Sequence, residues 1–251
     1  MEIKAIHIKH KRVSIEGEDA TLTLHLEAYL EASLREGDRL NEDTLTKLKA
    51  RSHYYDAADK AFKALSYKPY TVLAMMKKLR QSFDEATIQA VITMLKDHRY
   101  LDDQTLLNQR LEEALAFEHK GPKHYQQAFT KLGFHPTMIQ EALHTISDEV
   151  WHERCVTHLE TTLKHQKDKP PRALKQTLFQ AGLRAGYESH VVHEALAKVT
   201  LSGPDEETLL KARLIKEQAR YDLSNAQEKQ KLIQRLMRQG YRYDTIKKLI
   251  G

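Results

Sequence analysis

The chain holds a single cysteine, Cys155, in 251 residues, so no internal disulfide is possible. That usage fits a reducing compartment, and a cytoplasmic location is expected. No apolar run approaches the roughly 18 residues that cross a bilayer. The opening Met1-Glu2-Ile3-Lys4 offers no signal-peptide core, so no membrane association is expected. Glycine (nine) and proline (six) are too few for a loop-rich or low-complexity chain, and they act here as punctuation between periodic segments. Neither G-x-G-x-x-G nor G-x-x-x-x-G-K-[ST] occurs, which removes the dinucleotide fingerprint and the P-loop. Aromatics make up 7%, and few alternate with basic residues as a base-stacking surface needs.

What is present is charge and helix-forming composition. Charged residues make up 30%, and Leu, Ala, Lys, Glu and Gln dominate, as in helical proteins. The net charge of +5 is uneven: residues 1–53, 54–104, 105–150, 151–204 and 205–251 carry −1, +1, −2, +3 and +4. The basic excess gathers in the last two stretches, which points to an anionic partner such as nucleic acid or to a lysine-rich solvated surface.

A segment of about fifty residues recurs four times. Its closings read Ser82-Phe83-Asp84-Glu85-Ala86-Thr87-Ile88, Gly133-Phe134-His135-Pro136-Thr137-Met138-Ile139, Gly186-Tyr187-Glu188-Ser189-His190-Val191-Val192 and Gly240-Tyr241-Arg242-Tyr243-Asp244-Thr245-Ile246. Each sets a small residue before an aromatic and a β-branched aliphatic five positions after it. The aromatics are 51, 53 and 54 residues apart, a period that marks an array of supersecondary units. Within each unit the apolar spacing is helical, and Pro69, Pro122, Pro170 and Asn225 break the chain 12 to 17 residues before the aromatic. The closing reads as a helix–helix corner: the small residue allows a left-handed cap, the aromatic plugs the junction, and the aliphatic seals the third helix. Ser82-x-x-Glu85 has the capping-box spacing.

The first fifty residues differ. Ile6 and Ile8, Val13 and Ile15, then Leu22, Leu24 and Leu26 alternate with polar residues, predicting short strands with a turn at Glu16-Gly17-Glu18-Asp19. A short helix over about 27–35 is expected to stop at Gly37, and another to begin near Asn41. The expected fold is therefore mainly α: an elongated tandem array of four three-helix repeats (54–101, 102–149, 150–203, 204–251) behind a strand-containing extension (1–53).

Catalytic constellations are sparse. His152, Cys155 and His158 stand at i, i+3 and i+6, which spreads them round a helix, and no second cysteine completes a metal site. Asp102-Asp103 suits helix capping better than acid–base chemistry. The candidate binding residues are basic. Lys77, Lys78 and Arg80 crowd the end of one helix, and Lys164, Lys167, Lys169, Arg172 and Lys175 surround a proline break. Lys231, Arg235 and Arg238 share one helix face at i, i+4 and i+7. No cofactor is expected.

Several of these elements resemble RecX regulatory proteins: Asp97-His98-Arg99-Tyr100-Leu101-Asp102-Asp103, then Gly121-Pro122, then Leu132-Gly133-Phe134, inside tandem three-helix units. The strand-containing extension resembles the longer form found in Gram-positive bacteria. Lys68-Pro69-Tyr70-Thr71 and Gln104-Thr105-Leu106 depart from the family pattern. The resemblance implies a non-enzymatic, monomeric regulator that binds the RecA filament on DNA and restrains ATP hydrolysis, strand exchange and coprotease activity. The other reading that the residues support is a sequence-tolerant DNA- or RNA-binding helical module.

Overall fold

The computed structural model describes residues 1–18, 20–166, 169–201, 205–217 and 220–250. Asp19 of the expected turn, Lys167 of the basic clusters and the Ser202-Gly203-Pro204 boundary lie outside the described residues. Among those described, three strands are followed by thirteen helices, so the chain is mainly helical with a small N-terminal sheet.

Strands β1 (Ala5–Lys9), β2 (Arg12–Glu16) and β3 (Thr21–His25) form an antiparallel meander. Val13 and Ile15 alternate inward, as do Leu22 and Leu24, and all four join Ile3, Leu34, Leu40 and Leu48 in one core. Helix α1 (Leu26–Ala32) ends earlier than expected, on Ser33 in the left-handed region (φ 50°) and not on Gly37. Gly37 is also left-handed but serves the loop beyond, where its N–H donates to the Ile3 carbonyl at 2.8 Å. The helix must stop early because residues 37–40 pair with the chain's first residues: Ile3 donates to Asp38 and Leu40 to Met1.

Helix α2 (Glu42–Leu65) is capped by Asn41, whose side chain accepts from the Thr44 N–H at 2.8 Å. It runs unbroken past residue 53, placing Leu48 in the sheet's core and Ala57, Ala58, Ala61 and Ala64 in the next. That second core is closed by α3 (Val72–Leu79) and α4 (Glu85–Asp97). Its α2 face is the alanine stripe. Small side chains let α3 and α4 approach closely, and Phe62 is left 37% exposed against Tyr100, with ring centres 5.0 Å apart. The expected capping box is likewise displaced. Asp84 caps α4 through the Thr87 N–H, whereas Glu85 pairs with Arg80 and Ser82 accepts from Lys60.

Helices α5 (Asp103–Phe117), α6 (Pro122–Leu132), α7 (Pro136–His144), α8 (Asp148–Leu163), α9 (Pro171–Arg184), α10 (Ser189–Lys198), α11 (Glu206–Glu217), α12 (Ala226–Arg238) and α13 (Tyr243–Ile250) complete the chain. Pro122, Pro136 and Pro171 each occupy a first helical position, where the missing N–H costs nothing. The chain divides into two compact units, Met1–Gln109 with Lys131–His135 and Arg110–Thr130 with Pro136–Gly251.

The recurring corner does what its residues predict, and more. The aliphatics Ile88, Ile139, Val192 and Ile246 are fully buried, as nearly are Phe134, Tyr187 and Tyr241; Phe83 is only half-buried. Gly133, Gly186 and Gly240 all have φ between 92° and 99°, a region that side chains with a Cβ resist. Each glycine also lies against the start of the preceding middle helix. A Cβ on Gly133 would meet the Thr71 hydroxyl at 2.9 Å, on Gly186 the His124 nitrogen at 2.5 Å, and on Gly240 the Ala173 nitrogen at 2.9 Å. Hydrogen bonds lock two of these contacts: Thr71 Oγ1 donates to the Leu132 carbonyl, and the Gly121 and Lys123 N–H groups donate to Ala185 and Gly186. Ser82, the one corner without glycine, is exposed.

Candidate binding surfaces

The basic residues singled out by sequence do not all remain available. At the end of α3, Lys77 is exposed and Lys78 lies with its ammonium 5.8 Å from the Tyr70 ring centre. Arg80 spends its guanidinium on Glu85 through two N–H···O bonds of 3.1 Å. Around the break before α9, Lys164, Arg172 and Lys175 are exposed, and Lys169 donates to the Thr177 hydroxyl at 3.2 Å.

On α12, Lys231 and Arg238 face solvent, but Arg235 is engaged internally. Its guanidinium reaches Glu217 at 3.3 Å and the Tyr221 hydroxyl at 3.2 Å. Glu217 is only 2% exposed and takes a second cation, Arg213, at 2.8 Å. A buried carboxylate needs such partners, since losing them leaves an uncompensated charge. Arg235 therefore ties α12 to Glu217 at the end of α11. Sequence spacing could not show this, because i, i+4, i+7 places three cations on one face without revealing a carboxylate from another helix.

Two helix ends that lie far apart in sequence approach one another at one junction. Gly240 rests on the backbone of Ala173, so the α12 end carrying Arg238 abuts the α9 start carrying Arg172. Among the described residues, neither arginine has a carboxylate partner. Lys175 further along α9, Lys231 on α12 and Lys169 before α9 are also exposed. The glycine signal was visible in the sequence; the partner across the junction was not.

The paired aspartates are caps. Asp102 accepts from the Thr105 N–H at 3.0 Å on its own helix, and those bonds hold its carboxyl below the usual range. Asp103 reaches across to the Val72 N–H at 2.9 Å, at the start of α3, while burial pushes its carboxyl up. The bulky side chains near Cys155 also have structural work. Arg154 donates to the Leu115 and Glu118 carbonyls at the end of α5, and Tyr125 donates to Ala114 and Glu118.

Cys155 itself is buried, and burial pushes its thiol up to about 12. His158 packs beside the Tyr187 ring, and among the described residues no three His, Cys, Asp or Glu side chains gather as a metal site. Because only the thiolate attacks a disulfide reagent, the folded protein at pH 8 should not react with Ellman's reagent. Full reaction is expected only on unfolding in guanidinium, and a native-state reaction complete within minutes would show the thiol accessible.

No membrane-spanning candidate exists among the described helices. The molecule's class is thus that of a helical-repeat protein with a small sheet and basic, solvent-facing junctions. No family model matches the chain. Curated relatives do: it is 25% identical over 239 residues to "Regulatory protein RecX" of Staphylococcus aureus strain Newman, covering 92% of this chain and 86% of that protein. The strain JH9 protein of the same name is 25% identical over 235 residues. Among solved structures, one described as a crystal structure of regulatory protein RecX superposes with a TM-score of 0.66 at 19% identity, over 78% of this chain and 99% of that one. RecX from Lactobacillus salivarius gives 0.55 at 21% identity, over 58% and 96%. Over 92% of its length the chain is thus similar in sequence to RecX regulatory proteins, and it shares the fold of the solved RecX structures.

Proposed function

We propose that this protein is a cytoplasmic, monomeric, non-enzymatic regulator that binds the RecA filament on DNA and restrains its ATPase, strand exchange and coprotease activities. The observation that carries this reading is the match to RecX regulatory proteins over 92% of the chain. A division into an N-terminal module and four three-helix repeats supports it, because an array that repeats its own structure suits a partner that repeats along a filament. The contact residues in this reading are the exposed cations Lys77, Lys164, Lys169, Arg172, Lys175, Lys231 and Arg238, with Lys78 beside them.

A second reading, direct binding of nucleic acid, is favoured by the Gly240–Ala173 junction, where the helix ends that carry the exposed Arg238 and Arg172 approach one another. RecA's DNA-dependent ATPase separates the two. Near-stoichiometric protein should inhibit it, and excess DNA should leave the inhibition in place if RecA is the target. Relief by excess DNA would assign the effect to DNA occupancy, and no inhibition at low or moderate salt would remove the regulator reading.

Charge reversal locates the surface. Arg172→Glu with Arg238→Glu should raise the half-inhibitory concentration roughly tenfold, equivalent to ~1.4 kcal/mol, with helicity unchanged. Arg235→Glu is the wrong probe, because it would set a second carboxylate against buried Glu217 and loosen the fourth repeat. An unaltered inhibition curve for the double variant would move the contact elsewhere.

A further inference from the structure

The connection between α2 and α3 gathers features that the repeat does not need. Tyr67 is 79% exposed, a large ring left in water beside a well-filled core. Tyr70, three residues on, packs against that core, and the Lys68 and Lys78 ammoniums lie 5.0 and 5.8 Å from its ring centre. Lys63 and Lys77 are exposed nearby on the two helices. None of these four lysines pairs with a carboxylate among the described residues.

The backbone beneath is pinned. The Tyr67 N–H donates to Ala64, Pro69 restricts the turn, Thr71 caps α3 through Ala74, and Asp103 holds the Val72 N–H. The ring of Tyr67 is therefore presented from an ordered base, which lowers the entropy lost when something stacks on it.

We infer that this corner is a binding site for unpaired bases of single-stranded nucleic acid, with Tyr67 as the stacking ring and Lys68 and Lys78 meeting phosphates. Stacking needs a base face, which a duplex hides, and flanking ammoniums track the backbone of a flexible strand. An acidic peptide would use the lysines but has no call on the ring. The inference deepens the nucleic-acid reading and is measured without RecA, so its failure and that of the regulator reading are separate results.

The test is fluorescence anisotropy of a labelled thymidine oligonucleotide with the full chain. Tyr67→Ala should weaken binding about five- to a hundredfold, the range that loss of one stacked base produces. Tyr67→Phe should bind like the unmodified chain, and a duplex should not distinguish the three proteins. Lys68→Ala with Lys78→Ala should flatten the slope of log affinity against log salt by about 0.7 per lysine. Unchanged binding by Tyr67→Ala, equal losses on duplex and single strand, or no oligonucleotide binding at low salt would each overturn the inference. Polyglutamate binding that depends on Tyr67 as strongly would overturn it in favour of an acidic peptide.

Discussion

Phe134→Ala is expected to destabilise the protein by about 3–5 kcal/mol, the range for removing a buried phenylalanine and leaving its cavity. The ring is 3% exposed at a corner whose preceding glycine lies against Thr71 and Leu73, so little room exists for collapse into the vacated space. Urea denaturation followed by circular dichroism measures the loss. The half-buried counterpart gives a control, because Phe83→Ala removes a ring that already meets solvent and should cost clearly less. Equal losses at the two positions, or a near-neutral Phe134→Ala, would show that the aromatic does not plug the corner.

Gly186→Ala should be almost as costly, at ~2–5 kcal/mol, by two additive routes. A Cβ in the left-handed region costs roughly 1–2 kcal/mol, and overpacking adds about 1–3 kcal/mol. The second term exists because the new methyl would meet backbone, the His124 nitrogen at 2.5 Å, and backbone pinned by hydrogen bonds cannot step aside as a flexible side chain can. Gly37→Ala isolates the first term. Its φ is +90°, yet a Cβ there would meet nothing within 4 Å, so only the conformational cost remains. If the two variants lose the same stability, the close approach of one repeat to the next contributes nothing, and the corner glycines are caps alone.

This pair of glycines shows how far local reading reaches. That Gly186 must be left-handed follows from its place after a helical stripe, since a C-cap involves only residues within one turn. That it lies on His124, 62 positions earlier, is invisible to any window of the sequence. Lys231, Arg235 and Arg238 repeat the lesson: periodicity put them on one face correctly, but it could not say that Glu217 would take the middle one. Phe62 shows the same limit. Hydrophobic weight favours burying phenylalanine over alanine, yet close helix packing rewarded the small side chains at 57, 58, 61 and 64.

Tyr67 is the opposite case, a residue whose importance rests on being left out of the core. The residues that follow it, Lys68-Pro69-Tyr70-Thr71, were legible as a departure from the family pattern with a break at Pro69, but Tyr67 itself carried no sequence signal. Only the folded corner brings Lys78, eight residues later, to the ring of Tyr70.

The division of labour has one physical cause. Helix periodicity, caps, proline breaks and the fifty-residue repeat depend on neighbours within a few residues, or on simple recurrence, so the chain's own order sets the helical class, the N-terminal strands and the corner chemistry. The pairing of Arg235 with Glu217, the seat of Gly240 on Ala173 and the exposure of Tyr67 depend on side-chain volume and charge between segments that meet only after folding. Those contacts decide which cations stay free for a partner, and so which surface can bind.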